Sequence, residues 1–168
     1  IASISGKVVT EKNEGVENAT IILQSNEQTL KTSNEEGVYD FGYMEQGGNY
    51  TITGSKTDDY LNGVNTLDLV MMQRHILDIE KIKTPYQLVA ADVNKDKKIT
   101  AGDLVELRKL ILGVDAKLKN NESWRFVDKG FTFPDPANAQ AANLKESYEI
   151  YDLSSDMAVD FVGVKVGD

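Results

Sequence analysis

The chain has 168 residues, 40% hydrophobic and 27% charged, a balance typical of a folded protein rather than a disordered one. Its formal charge of −9 at pH 7 argues against nucleic acid as a partner, because phosphate binding needs clustered Lys and Arg, and favours cations instead. Cysteine is absent, which excludes disulfides and thiolate metal sites and leaves packing or oxygen-ligated metal to hold the fold.

No apolar run is long enough to cross a bilayer and no basic amphipathic stretch would lie on one, so membrane insertion is not expected. The length suits one ordinary domain or two small ones. Because the chain opens on Ile1 rather than Met, the expectation is a mature or excised segment of a longer protein whose targeting signal has been removed.

From Ile1 to about Ser55 short β runs alternate with turn residues. The runs are Ile4 to Val9, Ala19 to Gln24, Thr29 to Ser33, Val38 to Phe41 and Tyr50 to Thr53. Asn13-Glu14-Gly15, Asn34-Glu35-Glu36-Gly37 and Gly47-Gly48-Asn49 supply the turns. This pattern predicts an antiparallel β-sandwich over residues 1–56. Ser5-Gly6-Lys7-Val8-Val9, Gly15-Val16-Glu17-Asn18-Ala19, Gly37-Val38-Tyr39-Asp40-Phe41 and Gly48-Asn49-Tyr50-Thr51-Ile52 follow in an order that resembles carboxypeptidase-regulatory-like (CnaB-type) domains. The resemblance implies an Ig- or transthyretin-like sandwich used as a spacer or adhesive stalk.

From Thr66 the hydrophobic period becomes helical, and the segment repeats itself. Asp68-Leu69-Val70 recurs as Asp103-Leu104-Val105 and Ile76-Leu77 as Ile111-Leu112, each 35 positions on. Between the two copies Thr84-Pro85 can cap and start a short helix through Ala91, and Gly113 is placed to end the last one. Ahead of the second copy, Asp92 to Asp103 spans twelve residues with the spacing of an EF-hand loop. Asp92, Asn94 and Asp96 stand at positions 1, 3 and 5, the Lys98 carbonyl at 7, Thr100 at 9 and Asp103 at 12, an oxygen set suited to calcium and less so to magnesium. Lys97 fills position 6, where a left-handed backbone normally calls for Gly, at about 1 kcal/mol. The plainer reading of such a turn is an N-cap that binds nothing.

Aligned by the repeat, the first loop runs from Thr57 to Asp68. Asp59, Asn65 and Asp68 keep positions 3, 9 and 12, the Gly63 carbonyl keeps 7, and Asp58 can replace the ligand missing at Thr57. Leu61 at position 5 offers no ligand. Val64 and Ile99, both at position 8, are expected to pair in extended form. Acid at position 12 followed at once by Leu104, Val105 and Leu107 resembles type I dockerin repeats over roughly residues 57–113, within an expected domain of residues 57–118. The resemblance implies two Ca²⁺ sites, a protein partner and an extracellular or cell-surface location. Thr66-Leu67 and Ala101-Gly102 occupy the positions from which dockerins commonly meet cohesins; they are unlike each other and mostly apolar, which argues against a cohesin as partner.

Residues 119–168 read as an irregular C-terminal extension closing on an alternating strand in which Val162, Val164 and Val166 face one way. Trp124 is the expected anchor of this tail, or else an exposed binding aromatic. Together the three parts make an α+β chain and look like the C-terminal regions of secreted Bacteroidetes-type proteins. His75, the lone histidine, has no second soft ligand for a transition metal, and Met71 and Met72 sit at core spacing. Asn18, Asn49 and Asn121 form sequons that arise readily by chance. No nucleophile elbow appears, and paired acids such as Asp58-Asp59 lack a sugar-sized cleft, so an enzyme is not expected. The expected function is calcium-stabilised attachment or scaffolding. The alternatives are a filament built by exchanging Ile4 to Val9 or Phe161 to Val166 between copies, and glycan binding on Tyr39, Phe41, Tyr43 and Tyr50.

Overall fold

A computed structural model describes all 168 residues. It is an α+β structure with two sheets and three α-helices, divided into two compact units. One comprises residues 1–56, 125–131 and 144–163, the other residues 57–124, 132–143 and 164–168. Residues 119–168, expected as an extension of their own, are thus shared between the units.

In the first unit the five anticipated runs form β1 (Ala2–Val9), β2 (Thr20–Gln24), β3 (Gln28–Thr32), β4 (Val38–Met44) and β5 (Tyr50–Ser55). Their turns behave as their chemistry requires: Asn13 and Gly37 hold φ of 63° and 80°, and Asn34 Oδ1 accepts from the backbone N–H groups of Glu36 and Val38 at 3.1 and 2.9 Å. Four strands follow from the C-terminal third: β6 (Trp124–Asp128), β7 (Ser147–Ile150), β8 (Met157–Ala158) and β9 (Phe161–Lys165). One sheet runs β4-β1-β9-β6 with β8 also against β1, and the other runs β3-β2-β5-β7. Alternate residues are buried along β1, β2, β4 and β5, with Ile4, Ile21, Leu23, Tyr39 and Ile52 at 2% exposure or less.

The order of the first sheet bears on strand exchange. β1 pairs antiparallel with β4 and parallel with β9, through Val8 with Phe161 and Val9 with Val162. Both strands nominated for export therefore lie inside the sheet with their ladder groups taken, and neither is an edge. β9 falls where the alternating strand was expected, and every one of its residues is buried, so both of its faces are covered.

In the second unit α1 (Thr66–Ile76), α2 (Pro85–Ala91) and α3 (Ala101–Ile111) start and stop at the expected signals. Thr84 Oγ1 accepts from Gln87 N–H at 3.2 Å, Pro85 opens α2, and Gly113 holds φ of 75° just beyond α3. Met72, Ala91, Val93, Leu107, Leu110, Leu118 and Val166 form the core, with Val64 and Ile99 packed against it. The extended pairing expected of Val64 with Ile99 does not form; the two share the core instead. Met72 is core as expected, whereas Met71 is exposed. His75 is structural: its Nδ1 accepts from Ile82 N–H at 2.9 Å. No helix is long and apolar enough to cross a membrane.

Candidate metal centre

The second loop links α2 to α3, and its two buried acids are fixed by those helices. Asp92 is the residue at which α2 ends; Asp103 is the third residue of α3, where its Oδ2 accepts from Thr100 N–H at 2.8 Å. Both are fully buried. Carboxylate oxygens of Asp92, Asp96 and Asp103 lie within 4.8 Å of one another, a separation that one hard cation can span.

The backbone between them curls round these oxygens. Asp92 accepts from Asp96 N–H at 3.2 Å and Lys97 N–H at 2.9 Å, Asn94 Oδ1 from Asp96 N–H at 3.2 Å, and Asp96 Oδ1 from Lys98 N–H at 3.0 Å. Asp103 Oδ1 accepts from Asn94 N–H at 3.1 Å, which ties position 12 to position 3. Lys97 adopts the left-handed conformation expected of position 6, with φ of 68°, and Lys95 at position 4 does so too, with φ of 60°. Asn121, a residue that sequence reasoning noted only as a sequon, anchors the loop's entrance: its buried Nδ2 donates to the carbonyls of Asp92 and Val93 at 3.3 and 3.2 Å.

Electrostatics set this loop apart from a simple cap. Burial pushes the Asp92 carboxyl up to about 6, against backbone donation from Lys97, and the charge of Asp103 pushes the same way. Burial likewise raises Asp103, opposed by the N–H groups of Thr100 and Asn94. Two buried acids facing a third, held by backbone N–H groups, are short of positive charge that a divalent ion would supply.

The sign of the resulting pH dependence is definite. For Asp92 the folded value lies above the ordinary 3.8, so its stabilising contribution is complete below 3.8 and is lost as pH rises through about 6. In EDTA the thermal midpoint of the wild type, referred to Asp92→Asn, is therefore expected to fall between about pH 4 and about pH 7. A difference that stays flat or rises over that range contradicts the assignment.

The first loop is built differently. Its left-handed residues are Asp59 and Gly63, at positions 3 and 7, with φ of 51° and 71°, and not the fourth and sixth as in the second loop. Asn62 N–H donates to the Asp59 carbonyl at 2.9 Å and Val64 N–H to the Leu61 carbonyl at 3.0 Å, so the chain makes successive tight turns. Asn65 and Asp68 serve the start of α1: Asn65 Oδ1 accepts from Leu67 N–H and Asp68 Oδ2 from Asn65 N–H, both at 2.8 Å. Asp58 and Asp59 are exposed, and the first-loop acids do not draw into a cluster like that of Asp92, Asp96 and Asp103. Lys165, only 7% exposed, brings its ammonium to this loop and donates to the Tyr60 carbonyl at 2.7 Å and the Val166 carbonyl at 3.0 Å.

Residues 62–112 match the family model of the dockerin type I domain. Domains of that family are non-catalytic, bind calcium and mediate attachment between proteins. None of the curated proteins and none of the solved structures matches the chain.

Proposed function

We propose that this chain is a non-catalytic, extracellular attachment module in which calcium bound by the second loop folds and stiffens the helical unit. The observation that carries the reading is the convergence of Asp92, Asp96 and Asp103, two of them fully buried, on one point. Asn94, the Lys98 carbonyl and Thr100 complete the oxygen set at positions 3, 7 and 9. Magnesium suits the site less, because it demands a rigid octahedron and gives up its waters reluctantly. The two sheets of the first unit serve as a spacer, in keeping with the resemblance to carboxypeptidase-regulatory-like sandwiches.

Attachment is supported by a surface that repeats with the sequence. Val70, Leu77 and Ile79 are exposed, and so are their counterparts 35 residues on, Val105, Leu112 and Val114. Apolar side chains kept at matching positions of both repeats suit a partner protein better than they suit solvent.

Calorimetric titration of the full chain with Ca²⁺ tests the reading. Wild type is expected to bind with a Kd on the order of 10⁻⁷ to 10⁻⁵ M, and Asp103→Asn about 100-fold more weakly. Equal affinities in the two proteins exclude the second loop as the site.

A further inference from the structure

We infer that the first loop takes no calcium, because the ammonium of Lys165 sits in it as a built-in cation. The geometry is specific to this loop. Lys165 is the last residue of β9 and Asp168 the last of the chain, and between them the backbone is fixed by two hydrogen bonds. Val166 N–H donates to the Ser123 carbonyl and Gly167 N–H to the Ala90 carbonyl, both at 2.9 Å. Gly167 holds φ of 86°, and a Cβ there would stand 2.7 Å from Leu107 Cδ1, so the tail follows a path that only glycine permits. This path delivers Lys165 Nζ to the Tyr60 carbonyl and places the Asp168 carboxylate beside Gly63, where an added Cβ would meet its Oδ2 at 2.5 Å.

The charges are arranged around that ammonium. Burial lowers the Lys165 ammonium to about 8, and Asp168, Asp68 and Asp59 each oppose that fall; Asp68, itself raised by burial, is pushed further up by Asp168 and drawn down by Lys165. Two of the three are the acids that the repeat assigns to positions 3 and 12. Position 1 holds Thr57 in place of a carboxylate and position 5 holds Leu61, which has no side-chain oxygen, and the backbone turns left-handed at positions other than those of the second loop. A lysine is a compact point charge able to meet several oxygens at once, and its presence repels a divalent ion from the same place. One repeat thus keeps a metal-dependent loop, while the other is closed by Lys165 and Asp168 and is indifferent to calcium.

Two measurements decide the matter, and they separate this inference from the reading of the second loop on which its contrast rests. Native mass spectrometry of the full chain in excess Ca²⁺ is expected to show one bound ion in wild type and none in Asp103→Asn; two ions in wild type overturn the inference while leaving the second loop intact. Lys165→Met, melted in EDTA, is expected to lose several degrees of thermal midpoint that added Ca²⁺ does not restore. A midpoint equal to that of wild type overturns the inference even if no ion is seen in either protein. Should Lys165→Met not fold, Asp168→Asn is melted in its place, with a smaller loss expected and an unchanged midpoint again counting against the built-in cation.

Discussion

Excess EDTA is expected to lower the thermal midpoint of the helical signal by about 16 to 32 °C and to remove part of the helical ellipticity. The physical reason is that the metal-free second loop holds unfavourable groups in place. Asp92 and Asp103 are buried with their values raised, and Lys95 and Lys97 hold left-handed backbones that cost a non-glycine residue about 1 kcal/mol each. An ion bound only by the folded state adds RT ln(1 + [L]/Kd), about 4 kcal/mol at a thousandfold excess over Kd. For a unit of this size each 1 kcal/mol moves the midpoint by about 4 to 8 °C, which gives the expected shift. Helical ellipticity is the signal to follow, because every α-helix belongs to the unit that contains the loop. A shift of less than about 3 °C means that the ion, if it binds, is not part of the fold.

The turns of the second loop were legible in the sequence because its polar residues follow a position-by-position pattern, and Asp103 at the twelfth position is the acid that caps α3. The first loop was only half legible. Repeat alignment carries residue types across but assumes that the backbone follows, and Thr57 and Leu61 were the signs that it does not. What the alignment could not supply was Lys165, a residue 97 positions beyond Asp68, whose place beside Tyr60 depends on where residues 164–168 dock.

The same distinction runs through the fold. The runs β1 to β5 were recovered to within three residues at each end, because alternation and turn chemistry are local properties. Of the tail only the last strand, β9, was recovered, and not its pairing: β7 pairs with β5 and β9 with β1, partners roughly a hundred residues or more away in sequence, and no local pattern names a distant partner. Burial of β9 on both sides follows from that docking, which its alternating sequence did not reveal.

Gly6→Ala is expected to destabilise the first unit by about 3 kcal/mol. Gly6 lies in β1, where Ser5 pairs with Ala158 of β8 and accepts, through its carbonyl, from Val159 N–H at 2.7 Å. A Cβ built on Gly6 would stand 1.7 Å from the Val159 carbonyl oxygen and 2.7 Å from the Tyr39 hydroxyl. Backbone cannot swing aside as a side-chain tip can, so β8 must leave β1. The buried Tyr39 hydroxyl, which donates to that same carbonyl, then loses its acceptor. Gly42→Ala, in β4, is the matched control: its φ is 74°, but nothing lies within 4 Å of the added Cβ, so it bears only the backbone penalty of about 1 kcal/mol. Urea denaturation of the two variants, with amide exchange followed at Lys7 and Val159, separates crowding from backbone strain. Lys7 N–H is held by Asp160 Oδ1 at 2.9 Å and Val159 N–H by Ser5, so both should exchange faster in Gly6→Ala and stay protected in Gly42→Ala. Equal losses of stability in the two variants mean that β8 yields to the methyl group, and that the contact between Gly6 and Val159 does not fix its place.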